Sequence, residues 1–143
     1  MKKIFILVLL YALLICSSTI TNANERWYEV SFNDIFQVYF DTQSFQKSEN
    51  NGYYVWVKWQ YTEAYGKELS KKFKFKNPIS HVLRRVELDF VDKRYRFLSD
   101  TYYDIKGKVP YSNHEHGDWK SITPESTIEI IFHTTYNYYK DKT

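Results

Sequence analysis

Two histidines near the C-terminal third of the chain have the spacing of metal ligands. His114 and His116 alternate in the run SNHEHGDW, so on an extended segment both side chains point the same way, and Asp118 follows. Zinc sites use three or four ligands, so another histidine would have to complete the set. The remaining histidines are His81 and His133. A solvated polar turn explains the same run, and we predict no metal site and no cofactor, with a haem or metal carrier as an alternative.

The sequence has none of the usual signatures of an enzyme. It has no G-x-S-x-G elbow, and its four glycines do not form a phosphate-binding loop. The single cysteine, Cys16, lies in an apolar N-terminal run and offers no nucleophile to a folded domain. We therefore expect a protein that binds a partner and does not transform it.

Basic residues are concentrated in the middle of the chain. Residues 67–96 carry ten basic and four acidic side chains, whereas the segments on either side have a net negative charge. Such a stretch predicts a contact surface for a sulfated glycan or an acidic protein, although lysines on a solvated sheet edge would look the same. The predicted ligand-binding residues are Lys72, Lys74, Arg84, Arg85, Lys93, Arg94 and Arg96.

The run YYVWVKWQY, residues 53–61, predicts a strand with large side chains on both faces. Val55, Val57 and Trp59 share the face expected to enter the core, while Tyr54 and Trp56 lie on the opposite face. Together with Tyr39, these two aromatic residues are the predicted interface for a second copy or another partner.

Short alternating runs joined by turns predict an α+β fold built on an antiparallel meander of five or six strands. The lysine-rich segment 62–80 is expected to be a long connection with some strand at residues 72–75. In the strands around the turn at Asp92, Arg85, Arg94 and Arg96 are expected to face outward and Arg84 inward.

The C-terminal segment is expected to form an α-helix packed on the sheet. Thr123 is the predicted N-cap, with Pro124 in the first turn. Apolar residues then recur at helical spacing, although their β-branched content also suits a strand. These residues are Ile128, Ile131, Phe132, Thr135 and Tyr139.

Residues 1–23 have the pattern of a cleaved secretory signal peptide. Two lysines precede an apolar run of about 13 residues, which is too short to span a bilayer, and Thr21 and Ala23 suit a signal-peptidase site. Residues 24–143 then form one exported domain without cysteine. Removal of residues 1–23 lowers the net charge from +3 for the full chain to about +1 for this domain. Lipidation of Cys16 is the alternative, although Ile15 precedes it where a small residue is usual.

Several motifs, in order, give the chain a family resemblance. After Trp27 come VYFDTQSF, VWVKWQY, VELDF, RYRFLSDTYYDIKGK and WKSITPES. Over residues 26–136 the chain resembles the surface-adhesin protein E family of Gram-negative bacteria. The resemblance implies a six-stranded antiparallel sheet with a C-terminal helix, adhesion to host matrix proteins, and pairing of subunits; haem binding is also associated with the family.

One departure from the family pattern concerns the helix. Members commonly carry one cysteine where Phe90 stands and another near Phe132 or His133, so apolar packing must join sheet and helix here. We expect an exported, adhesin-like module in the periplasm, on the outer surface or secreted, that contacts a host matrix or polyanionic partner and no nucleic acid. The alternative is a structural or accessory domain of the cell envelope.

The signal-peptide interpretation predicts that the mature chain begins at Asn24. Its melting temperature should be the same with and without a reductant, because no thiol remains after cleavage. Intact-mass analysis checks the first residue. An acylated Cys16 at the N-terminus would contradict this export route.

Overall fold

A computed structural model describes residues 26–49 and 52–141 of the chain. The signal peptide and the lipidation of Cys16 fall on residues outside the described part. Within that part no helix has the length and apolarity needed to cross a bilayer. The elements are β1 (Trp27–Phe32), β2 (Phe36–Asp41), β3 (Gln46–Lys47), β4 (Tyr53–Tyr61), α1 (Glu63–Phe73), β5 (Ile79–Asp89), β6 (Arg94–Asp104), β7 (Tyr111–Asn113), β8 (Lys120–Ser121) and α2 (Thr127–Lys140).

The strands form one antiparallel sheet in the order β1-β2-β4-β5-β6-β7. The short strand β3 extends the β2 side of β4, and β8 pairs with the start of β6. Neighbours in the sheet are thus neighbours in the chain, and the predicted meander of strands is confirmed. The three long central strands β4, β5 and β6 place their side chains in registered rows on two faces.

The face that carries Val55, Val57 and Trp59, called the inner face below, is the core of the protein. These side chains are buried against α2, whose residues Ile128 and Ile131 belong to the same apolar cluster. The predicted helix is confirmed, because its apolar residues at helical spacing meet the apolar side of the pleat.

The N-terminus of α2 lies three residues later than predicted. Ser126 is the N-cap, and its hydroxyl accepts a hydrogen bond of 3.2 Å from the Glu129 amide. Thr123 instead lies in a turn that precedes the helix, where its carbonyl accepts from the Ser126 hydroxyl. Glu125 has φ of 61° in that turn, which is incompatible with a helix that starts at Thr123.

The predicted strand at residues 72–75 is wrong, because residues 72 and 73 are the last of the helix α1 and the next two form its C-cap and the reversal after it. Thr62 caps the helix through its side chain, and Glu63 pairs with Lys67 one turn later. The helix ends at Lys74, which has φ of 58° and donates its amide to the last turn.

Gly66 allows α1 to lie directly against the sheet. A Cβ built at this position would be 2.0 Å from the Ile79 carbonyl oxygen, so any other residue would push the helix away from β5. The approach fixes where α1 ends, and therefore where the residues after its C-cap are placed.

Aromatic packing joins α2 to the sheet at the position where the family commonly has cysteines. The rings of Phe90 and Phe132 lie 4.9 Å apart in an edge arrangement, and Tyr136 contacts the other side of Phe90. Phe132 is also part of the buried cluster. The expectation of an apolar contact between sheet and helix is confirmed.

We predict that Phe132→Ala lowers the free energy of unfolding by about 3–5 kcal/mol, because it leaves a cavity in the contact between sheet and helix. Ile130→Ala is the matched control on the same helix, since Ile130 is 42% exposed, and it should change stability by no more than about 0.5 kcal/mol. Urea unfolding of both variants measures the difference. Equal stability of the two variants would show that this packing does not hold α2.

Candidate functional site

The opposite face of the sheet, called the outer face below, carries a row of cations held by aromatic rings. On β4 the Lys58 ammonium lies 4.7 Å from the ring centres of both Trp27 and Tyr39. The register places Lys58 directly opposite Tyr39, and Tyr39 opposite Glu29, so side chains from three adjacent strands meet here. Partial burial lowers the pKa of Lys58 from its usual value.

A second cation of the outer face belongs to β5 and lies over an aromatic ring of β4. Arg85 lies opposite Trp56 in the register, and its guanidinium sits 4.7 Å from the ring centre of Tyr54. Trp56 and Arg85 also border a cavity of about 330 Å³. Its other lining residues are Arg26, Asp41, Gln43, Ser44, Gln46 and Val55.

Two carboxylates are buried at the β5–β6 end of the outer face. Glu87 is 0% exposed and accepts a hydrogen bond of 2.7 Å from Arg96, while its other oxygen has no hydrogen-bond partner among the described residues. Asp89 accepts bonds of 3.0 Å from Arg94 and 3.1 Å from the backbone amides of Val91 and Asp92. Burial raises the pKa of Asp89, but the amide and guanidinium donors outweigh it and leave the pKa below its usual value.

Trp119 covers these two ion pairs. The segment from Asn113 to Ser121 runs along the edge of β6, where the Gly117 amide bonds to the Phe97 carbonyl. The guanidinium groups of Arg94 and Arg96 each lie 4.7 Å from the Trp119 ring centre. Sequence analysis missed this residue.

The predicted basic residues do not form one surface. Lys72 lies on α1 and Lys74 at its C-cap, Lys93 occupies the β5–β6 turn with φ of 50°, and Arg84 faces inward, where it pairs with Asp100. The outer face holds the other three, of which Arg94 and Arg96 are neutralised by buried carboxylates. Those three are Arg85, Arg94 and Arg96.

His114 and His116 are both exposed in the segment between β7 and β8, and the other two histidines lie on different elements. His81 stacks on Tyr103 at 4.7 Å on the outer face, and His133 faces Glu129 on α2. His114 is exposed and contacts the Ser112 hydroxyl at 3.0 Å. Residues 26–49 and 52–141 contain no group of three potential metal ligands.

The strands and helices define a small α+β domain with one antiparallel sheet and a C-terminal helix packed on its inner face. A family model for surface-adhesin protein E matches residues 27–135, so the chain belongs to the surface-adhesin protein E family. No curated protein and no solved structure matches the chain.

The environment of Asp89 predicts a pH dependence of stability. A carboxylate whose folded pKa lies below its unfolded value of 3.8 stabilises the protein fully above that pH, and the contribution disappears as the pH falls through the folded pKa. The stability difference between the wild type and Asp89→Asn should therefore be largest above about pH 4 and shrink in stronger acid.

Urea unfolding at a series of pH values measures that difference. Asp92→Asn is the control in the same turn, because Asp92 is exposed and pairs only with the half-buried Arg94. Its stability relative to the wild type should change much less with pH. A pH-independent effect of Asp89→Asn would contradict the assignment.

Proposed function

We propose that the protein is an exported adhesin that binds a macromolecule of a host surface through the outer face of its sheet. The observation that carries the proposal is the pair of cations, Lys58 and Arg85, held at 4.7 Å over aromatic rings beside Trp56. Neither described helix packs on this face, because both contact the inner side of the sheet or its end. Membership in the surface-adhesin protein E family also supports an adhesive function.

The composition of this surface suits protein recognition. Aromatic residues and arginine provide most of the binding energy at interfaces: aromatic rings remove large areas from water and lose few rotamers, and arginine adds several hydrogen-bond donors in a planar group. Tyr39, Tyr54, Trp56 and Arg85 are already half-buried by their neighbours on adjacent strands. A partner therefore meets side chains whose conformations are restricted before binding.

Charge makes a smaller contribution than the number of arginines indicates. Arg94 and Arg96 are each bonded to a buried carboxylate, so they add little net positive potential. Lys58 and Arg85 remain as the cations of the outer face for an acidic protein or sulfated glycan. Attraction between such exposed charges is screened within about 8 Å at physiological salt.

A second candidate uses the same aromatic residues for self-association. Tyr39, Tyr54 and Trp56 would then contact a second copy or another protein of the cell envelope, as an accessory domain would. The same half-buried aromatic residues favour this function, and the oligomeric state separates it from adhesion.

We predict that Trp56→Ala weakens binding to an immobilised basement-membrane extract by about tenfold or more, because it removes the central aromatic contact. Arg85→Ala should weaken binding less and reduce its dependence on salt. Tyr136→Ala is the control, an exposed aromatic residue on α2 away from the outer face, and should bind as the wild type does. Biolayer interferometry at two salt concentrations measures these effects.

Unchanged binding of Trp56→Ala would refute adhesion through the outer face. Sedimentation equilibrium of the wild type and Trp56→Ala decides the second candidate, which requires a dimer that this variant dissociates. Arg94 and Arg96 are unsuitable for the test, because removing either arginine leaves a buried carboxylate unpaired and destabilises the fold.

A further inference from the structure

A cavity of about 440 Å³ opens on the inner side of the sheet, beyond the part that α2 covers. It lies between the end of α1 and the paired strands β6 and β7. The register places Asp100 opposite Asn113 and Tyr102 opposite Tyr111, so these four side chains share one face of the sheet. The lining residues are Phe73, Phe75, Asp100, Tyr102, Tyr111 and Asn113.

Four aromatic rings in series form one wall of the cavity. The distances between ring centres are 5.8 Å from Phe73 to Phe75, 6.4 Å from Phe75 to Tyr102, and 5.7 Å from Tyr102 to Tyr111. Phe73 is 50% exposed and Tyr111 is 46% exposed. Each ring contacts the next, so the four rings form one continuous wall and do not surround a ligand on all sides.

The wall depends on an unfavourable backbone conformation. Lys74 adopts φ of 58°, which is unfavourable for a residue with a Cβ, and the Phe75 amide then bonds back to the Ser70 carbonyl at 2.9 Å. This reversal brings Phe75 beside Phe73 and against Tyr102. The conformation is therefore the one that assembles the aromatic wall.

A hydrogen-bond acceptor and a hydrogen-bond donor lie beside this wall. The Asp100 carboxylate accepts no hydrogen bond from the described residues, although Arg84 Nε lies 3.0 Å from its Oδ1 outside hydrogen-bond geometry. Asn113 Oδ1 accepts from the Glu115 amide at 3.0 Å, so the Asn113 amino group, which bonds to none of the described residues, is the donor that this side chain can offer. An acceptor and a donor thus face each other across one register pair.

The charge of the site is balanced. The Arg84 guanidinium is held 4.9 Å from the Trp59 ring centre and 5.0 Å from that of Phe97, so it stays beside Asp100 and offsets its charge. A free cation therefore gains little, and an anion meets the carboxylate first. A neutral molecule that both donates and accepts hydrogen bonds fits this pair of polar groups.

We propose that the cavity binds a neutral sugar ring, such as the terminal hexose of a glycan. The apolar C–H face of the sugar would lie on the exposed ring of Tyr111, whose face carries partial negative charge, with the Tyr102 ring at 67° to it as the adjoining side of the cavity. One hydroxyl would donate to Asp100 and a neighbouring hydroxyl would accept from Asn113. The volume lies in the range of roughly 300–1,000 Å³ that small-molecule sites occupy.

The test uses methyl glycosides of glucose, galactose, mannose and N-acetylglucosamine at tens of millimolar. Saturation-transfer NMR on the wild type should show contact with the ring C–H protons of at least one of them, and a titration gives its Kd. Asn113→Asp keeps the shape and removes the donor, so it should raise that Kd by about tenfold or more. Tyr111→Ala should do the same without affecting the fold, because Tyr111 is half exposed.

Phe32→Ala is the matched control, since Phe32 is 72% exposed on the opposite edge strand, and it should leave sugar binding unchanged. Trp56→Ala should also bind the glycoside normally, which separates this site from the outer face. Tetramethylammonium serves as the competing probe for an aromatic cage. Binding of tetramethylammonium without any glycoside, no binding of any glycoside, or a glycoside Kd in Asn113→Asp and Tyr111→Ala equal to that of the wild type would each overturn the proposal.

Discussion

The packing of α2 on the inner face of the sheet is the contact on which the rest of the molecule depends. A six-stranded antiparallel sheet has two faces, and without a covering element its apolar side chains would remain in water. Residues 26–141 contain no cysteine, so this contact relies on packing between side chains such as Phe90 and Phe132. The helix has 14 residues, and isolated helices of that length are marginal in water, so helix and sheet stabilise each other.

The outer face, which neither described helix covers, removes its aromatic rings from water in a different way. On the outer face, large aromatic rings are shielded by the side chains of lysine and arginine, whose charged ends remain in contact with water. Where buried acidic residues lie on the outer face near the β5–β6 turn, arginines from the next strand pair with them and Trp119 covers the pairs. Lysine and arginine side chains therefore shield the outer face from water, whereas apolar side chains bury the inner face.

The strands and their faces were predictable from the sequence because alternation alone determines which side chains share a face. The helix α1 was not, since its fully buried residues are Gly66 and Ser70, and neither contributes to an apolar stripe. The roles of Trp119 and of the aromatic wall of the cavity were also not predictable from the sequence. Their neighbours come from different elements, and the left-handed residue at Lys74 that assembles the wall leaves no compositional signal.

The position of β1 in the sheet has a mechanical consequence. β1 is an edge strand, and β2 is its only neighbour among the described strands. Force transmitted through the chain before it first reaches the Arg26–Asp41 ion pair, with its bonds of 3.0 Å and 2.8 Å, and then the ladder at Trp27. Trp27 is one of the two rings that hold Lys58, so separating β1 from β2 under force also removes part of the outer face.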